Sequence, residues 1–126
     1  MYKRQVLRPA DLASLATIAR RRVQLVQAAS ASRLAPEDLA DGTFTLTNLG
    51  PLKVDAFTPV INPPEACILG LNAVADRPVA IGGQVVVRPM TTLSLSADHR
   101  ILDGAEAARF LARIRELVEN PWLLLL

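Results

Sequence analysis

The sequence has few of the residues that build disulfides, metal sites and aromatic binding surfaces. Its 126 residues include one cysteine, one histidine, one tryptophan, one tyrosine and three phenylalanines. A single cysteine cannot form an internal disulfide, and the chain has no Cys/His cluster suited to zinc, so we expect no metal. So few aromatic side chains leave too few stacking platforms for single-stranded nucleic acid.

Strong charge and long apolar runs are also missing. The 14 basic and 12 acidic residues leave a net charge of +2, which argues against a nucleic-acid partner. The longest apolar runs have about five residues, whereas a membrane span needs about 20, so we expect no membrane association. With 51% hydrophobic residues, the chain is expected to fold as a single domain over residues 1–126.

Apolar residues recur at steps of three or four between Pro9 and about Ala28, which predicts an amphipathic helix with Pro9 in its first turn. The basic N-terminal stretch has the charge bias of an organellar transit peptide. Its regular apolar spacing favours a structural helix instead, so we expect a cytoplasmic protein, with an organellar matrix left open. Arg20, Arg21 and Arg22 point to more than one helix face, and solvent or a partner is favoured over a phosphate.

The rest of the chain predicts strands followed by a second helix. Pro36 begins a predicted single helical turn, Gly82-Gly83 is a plausible hairpin turn, and a strong helical stripe runs from Asp103 to Val118 and is closed by Asn120. This order predicts an α+β fold with a mixed sheet covered by helices. The predicted strands are Thr43–Thr47, Ala66–Leu71, Val79–Ile81 and a long one from Gln84 to Ser96.

Two polar residues stand where the last strand ends and the second helix begins. His99 is the only histidine, and such junctions commonly display catalytic side chains. A lone histidine between charged residues is also typical of a surface or capping position. Asp103 has a sufficient structural role as the helix N-cap, and with Glu106 it has capping-box spacing. Chemistry alone therefore leaves both interpretations open.

Four segments resemble one enzyme family, in the order in which that family has them. Residues 98–105 read DHRILDGA and resemble the DHRxxDGA signature of the acyltransferase components of 2-oxoacid dehydrogenase complexes, a pattern related to the HxxxD of chloramphenicol acetyltransferases. Residues 42–50, GTFTLTNLG, resemble the family's GTFTISNLG strand, and residues 61–70, INPPEACILG, resemble its INPPQxxILG segment. The C-terminus from Phe110 also resembles the family's closing segment. Residues 51–53, PLK, depart from the family's usual MFG.

The resemblance implies a chloramphenicol acetyltransferase-like fold and the C-terminal half of its catalytic domain, with no lipoyl or subunit-binding domain. His99 would be the general base that deprotonates a thiol, Thr47 would donate a hydrogen bond to the oxyanion from a neighbouring subunit, and Asp103 would hold the histidine loop. Arg100 has no assigned role. Coenzyme A would be a substrate, and a lipoyl group would come from another chain in trans. The resemblance further implies a homo-oligomer, a trimer or a multiple of trimers.

A non-enzymatic function stays open beside this one. A half-domain with an incomplete substrate channel could serve as a non-catalytic oligomeric assembly module. Cys67 lies inside an apolar run, where a buried, inert thiol is expected. The apolar tail from Trp122 to Leu126 is expected to be buried against another subunit.

Overall fold

A computed structural model describes residues 4–124 of the chain. The chain divides into two compact units, one ending at Thr43 and the other beginning at Phe44. Helix α1, Leu15–Ser30, belongs to the first unit. The predicted helix start at Pro9 is wrong, because residues 8–13 form turns and the Ser14 hydroxyl, accepting from the Thr17 amide at 3.2 Å, caps the helix.

The first unit is held together largely by arginines. Arg21 donates to the carbonyl of Arg8 at 2.7 Å, and Arg8 forms an ion pair with Asp41 at 3.1 Å. A short 3-10 helix, Pro36–Asp38, confirms the predicted helical turn. The α1 arginines thus serve the local structure in part, and Leu25 is the buried residue of the helix.

The second unit contains a three-stranded mixed sheet in the order β1-β2-β5. β1 runs parallel to β2, and β2 runs antiparallel to β5. The sheet and the helices give the predicted α+β class. The strands are β1, Thr45–Asn48; β2, Cys67–Leu71; and β5, Leu93–Ala97.

A separate two-stranded hairpin joins β3, Ala75–Ile81, to β4, Gln84–Met90. Gly82 and Gly83 have φ values of 57° and 79°, so they form the predicted hairpin turn in a conformation that favours glycine. The predicted strand Val79–Ile81 was too short, because β3 continues back through Pro78, which pairs with Val87. In a sheet of two strands, each strand is an edge strand and tolerates proline.

The predicted single strand from Gln84 to Ser96 is in fact two strands interrupted at residues 91 and 92. Asn72, which follows β2, causes the interruption by binding the Thr92 backbone and the Thr91 side chain. Its Nδ2 donates to the Thr92 carbonyl at 2.7 Å, and the Thr91 hydroxyl donates to the Asn72 carbonyl at 3.1 Å. These contacts let β5 join the three-stranded sheet while β4 stays with β3.

The two faces of the three-stranded sheet differ in chemistry because side chains alternate along each strand. The apolar face carries Leu46, Leu69 and Leu95, and helix α2, Gly104–Glu119, contacts β5. Next to β1, the Phe44 ring meets the Phe110 ring of α2 edge-on, with centroids 5.7 Å apart. The opposite face, called the hydroxyl face below, carries Thr45, Thr47, Ser94 and Ser96.

Residues 54–64, called the strap below, pack on the hydroxyl face. The Ser96 hydroxyl donates to the Pro59 carbonyl at 2.6 Å, and the Phe57 ring covers Gly70 so closely that a Cβ there would lie 2.9 Å from its Cζ. The strap thus covers the middle of this face. None of the helices within residues 4–124 is long and apolar enough to cross a membrane.

Candidate active site

His99 lies in a turn between β5 and α2 whose backbone is anchored on both sides. The Asp98 amide donates to the Ala66 carbonyl at 2.8 Å, which ties the turn to the residue before β2. The Asp98 carbonyl accepts from the amides of Ile101 and Leu102 at 2.9 and 3.0 Å. His99 therefore lies on a turn with a defined backbone, as expected of a strand–helix junction.

Asp98 and Arg100, the residues on either side of His99, form an ion pair. Asp98 accepts from the Arg100 amide and from its Nε at 3.0 Å, and from its Nη2 at 2.6 Å. These hydrogen bonds lower the pKa of Asp98 from its ordinary 3.8 to about 2, and they raise the pKa of Arg100. The Asp98 side chain is 17% exposed and that of Arg100 85% exposed, so the arginine folds back over the carboxylate from the solvent side.

The imidazole of His99 is exposed, and within residues 4–124 it has neither a hydrogen-bond nor an ion-pair partner. Both ring nitrogens are thus accessible to a substrate or to a group from another chain. The sequence had singled out His99 but left Arg100 without a role and missed Asp98. Opposite charges two residues apart around the histidine were the signal for that pair.

Asp103 is the N-cap of α2, as its sequence position indicated. Its Oδ1 accepts from the Glu106 amide at 2.7 Å, and Glu106 Oε2 accepts from the Asp103 amide at 3.1 Å, which completes a capping box. The described contacts include no hydrogen bond from Asp103 to His99. Its capping role is therefore confirmed, and its role in holding the catalytic loop stays a prediction.

Thr47 lies on the hydroxyl face at the β1 end of a row across the sheet. It pairs with Gly70 of β2, which pairs with Ser94 of β5. Ala97, at the end of β5 before the His99 turn, pairs with Cys67. Three residues along the strand and two strand spacings separate Thr47 from Ala97, about 14 Å in all. The strand register therefore places Thr47 well away from the end of β5 that leads into the His99 turn.

The other sequence candidates fall outside this site or have a structural role. Cys67 is buried in β2, and burial raises the pKa of its thiol, which makes it an inert core residue. Within residues 4–124, no three metal-ligating side chains cluster together. Trp122 is 77% exposed, whereas Leu125 and Leu126 of the predicted buried tail lie outside the described residues.

Buried polar groups on the hydroxyl face were missed by the sequence reasoning. The Thr45 hydroxyl donates to the carboxylate of Glu65, which is buried just before β2. Asn72 is also buried, and Phe57 lies between these two residues over Gly70. A glycine inside the apolar β2 run was the only sequence signal for the close approach of a ring.

Known proteins match almost the whole chain. Residues 5–126 match the family described as 2-oxoacid dehydrogenases acyltransferase (catalytic domain). The chain is 47% identical to the dihydrolipoyllysine-residue succinyltransferase component of the 2-oxoglutarate dehydrogenase complex of Haemophilus influenzae, and 46% identical to the corresponding component of Escherichia coli K12. Each alignment covers 96% of this chain and 30% of the relative. The chain thus spans about a third of the length of these curated relatives.

Solved structures of the same kind share the fold. The cubic core of the pyruvate dehydrogenase multienzyme complex has a TM-score of 0.92 at 37% identity, covering 97% of this chain and 50% of that chain. A structure solved to study a serine, a histidine and an asparagine in the catalytic mechanism of Azotobacter vinelandii dihydrolipoamide acetyltransferase has the same TM-score and coverage at 38% identity. The chain belongs to the 2-oxoacid dehydrogenase acyltransferase family, and its matched residues lie in the family's catalytic domain.

Proposed function

We propose that the protein is an acyltransferase core of a 2-oxoacid dehydrogenase complex that transfers an acyl group between dihydrolipoamide and coenzyme A. One observation carries the proposal. In the Azotobacter vinelandii enzyme, the histidine studied for catalysis follows the serine by 52 residues and precedes the asparagine by four. Thr47, His99 and Asp103 have the same spacing, with a hydroxyl, an imidazole and a short polar side chain at the matching positions.

His99 acts as the general base in this proposal. A neutral imidazole takes the proton of the attacking thiol, and the thiolate adds to the carbonyl carbon of the acyl thioester. The tetrahedral intermediate collapses, its bond to the second sulfur breaks, and the leaving thiolate takes the proton back from His99. The acyl group has then moved from one sulfur to the other. The exposure of His99 on an anchored turn supports this role.

Thr47 donates a hydrogen bond to the oxyanion of that intermediate. Because Thr47 lies about 14 Å from Ala97, where β5 ends before the His99 turn, the Thr47 of one subunit serves the His99 of its neighbour in this proposal. A homotrimer, or a multiple of trimers, closes such a shared contact. The cubic core among the similar structures is an assembly of this general kind.

The residues around His99 position it. Asp98 and Arg100 hold the turn, and Asp103 joins it to the first turn of α2. We place the lipoyl group on another chain in trans and the protein in the cytoplasm. The transfer as written requires no metal ion.

Exposed apolar surface favours a second candidate function, that of an oligomeric assembly module. The chain covers half of the solved catalytic cores, and Val60, Leu12 and Trp122 are among its most exposed large apolar side chains. An oligomeric assembly module without a complete substrate channel would cover such surfaces and need no chemistry.

An acyl-exchange assay separates the two functions. The protein is incubated with acetyl-coenzyme A and dihydrolipoamide, and S-acetyl dihydrolipoamide and free coenzyme A are quantified together. Transfer that is lost in His99→Ala, while the matched Ile101→Ala variant in the same turn keeps it, supports the enzyme. An oligomer that shows no transfer for the unmodified chain with any acyl-coenzyme A supports the assembly module.

A further inference from the structure

The surface beside Thr47 is formed by an aromatic ring. Phe57 of the strap lies over Gly70, with three of its ring carbons 2.9 to 3.4 Å from the position that a Cβ would occupy. Gly70 is the direct neighbour of Thr47 across the β1–β2 pair, about 4.8 Å away, and both positions face the hydroxyl side of the sheet. An acyl group whose carbonyl oxygen reaches the Thr47 hydroxyl therefore meets an apolar ring next to it.

The polar residue next along β2 offers no donor to such a group. Asn72 is 4% exposed, and its Nδ2 is used by the Thr92 carbonyl at 2.7 Å and the Ser94 hydroxyl at 3.3 Å. The Thr92 carbonyl can only accept, so the amide orientation is set by its partner. The remaining atom, Asn72 Oδ1, is a buried acceptor with no partner among the described residues. An acceptor oxygen disfavours a nearby carboxylate.

Within residues 4–124, two cations pair with the strap or adjoin it in the chain. Arg77 is paired with Asp55 at 3.0 Å. Lys53, the residue before the strap, is exposed and has a positive φ of 60°. A carboxylate at the acyl end would thus lose water against Phe57, and of these two cations only the exposed Lys53 could offset that loss.

We propose that Phe57 is a specificity-determining residue and that the site takes uncharged aliphatic acyl groups in preference to acyl groups that end in a carboxylate, such as succinyl. This inference rests on the proposed acyl transfer and goes beyond it by naming the substrate class. The proposed acyl preference also distinguishes this chain from a relative that is 47% identical to it and is named as a succinyltransferase component. The difference comes from two side-chain environments, those of Phe57 and Asn72.

The first test compares kcat/KM for acetyl-, isobutyryl- and succinyl-coenzyme A with dihydrolipoamide as acceptor. We expect the better uncharged substrate to exceed succinyl-coenzyme A by about 100-fold, because burying an unpaired carboxylate is costly. Phe57→Ser should narrow that ratio about tenfold by replacing the ring with a small hydroxyl. Phe44→Leu, which changes a ring on the apolar face of the same sheet, should leave the ratio unchanged. Circular dichroism melting confirms that both variants fold.

A preference for succinyl-coenzyme A in the unmodified protein would overturn the inference, and its loss in Lys53→Gln would identify Lys53 as the carboxylate partner. An unchanged ratio in Phe57→Ser would also overturn it, because the ring would then not select the substrate. Either result leaves acyl transfer itself intact, so it does not contradict the proposed function.

A binding measurement decides the inference even without turnover. Titration calorimetry with two unreactive thioethers, S-propyl-coenzyme A and S-(3-carboxypropyl)-coenzyme A, should show tighter binding of the propyl compound, with the difference reduced in Phe57→Ser. Absence of transfer with this binding pattern would contradict only the proposed function. Tighter binding of the carboxypropyl compound, or binding of neither, would overturn the inference.

Discussion

On the apolar face of the β1–β2–β5 sheet, Phe44 meets Phe110 of α2, and leucines from all three strands face the same side. On the hydroxyl face, a strap without regular strands covers the sheet, the Ser96 hydroxyl bonds to Pro59 of the strap, and the Thr45 hydroxyl bonds to Glu65 just after it. The same three strands therefore have two uses. The apolar face carries the contact with α2, and the hydroxyl face presents polar groups at positions fixed by the strand register.

The largest expected effect is at the end of β5, where the sheet leads into the catalytic turn. His99→Ala removes the general base, so we expect kcat to fall about 10²- to 10⁴-fold. The melting temperature should stay close to that of the unmodified protein, because the His99 side chain is exposed and packs against little. Steady-state acyl transfer and thermal melting measure the two effects. A variant that loses its fold along with its activity would show that His99 is structural.

Two threonines on the hydroxyl face allow a matched comparison. Thr47→Val should lower kcat about 100- to 1,000-fold by removing the oxyanion donor, an effect on activity larger than its effect on stability. Thr45→Val should lower stability more than activity. Its hydroxyl donates to the buried Glu65, and loss of that bond should cost about 1–3 kcal/mol of unfolding free energy. Activity assays and urea denaturation separate them. Similar profiles for the two variants would mean that Thr47 is an ordinary strand residue.

The packing between the strap and the sheet can be tested through Gly70. Gly70→Ala places a methyl group 2.9 Å from the Phe57 ring, so we expect a loss of about 1–3 kcal/mol from overpacking. Phe57→Leu in the same chain should restore part of this loss, since the shorter side chain leaves room. Denaturant unfolding of both single variants and the double variant gives the coupling. Additive effects would mean that the ring does not lie over Gly70 in solution.

The smallest effect concerns the anchor of the His99 turn at acid pH. Because the pKa of Asp98 is lowered to about 2, the folded state binds fewer protons than the unfolded state below neutral pH. The Asp98–Arg100 pair should therefore stabilise the fold fully above about pH 4 and lose this effect as the pH falls toward 2. An NMR titration should place the Asp98 carboxyl midpoint near 2. Asp98→Asn should reduce the pH dependence of stability in this range, and a midpoint near the ordinary 3.8 would contradict the ion pair.

Sequence patterns were sufficient where a property depends on local spacing. The strand predicted at Thr43–Thr47 overlaps β1, and Asp103 with Glu106 predicted the helix cap. They failed where distant residues decide the outcome. Asn72 interrupts the predicted long strand by hydrogen bonds that no local pattern encodes.

The candidate site shows the same division. His99 stands at a strand–helix junction that the sequence marks, whereas the role of Phe57 depends on a glycine in another strand. Whether Thr47 and His99 belong to one site could not be predicted from spacing alone, because it depends on how strands align and on how subunits meet. The register places Thr47 about 14 Å from Ala97, the end of β5, and the proposal brings Thr47 and His99 together across a subunit boundary.

Subunit complementation tests that shared site. Thr47→Val and His99→Ala chains are unfolded together in equal amounts, refolded, and assayed for acyl transfer beside each variant refolded alone. If one subunit supplies Thr47 and its neighbour supplies His99, random mixing should restore intact sites and about one quarter of the unmodified activity. Activity no higher than the average of the two separate variants would contradict a site shared between subunits.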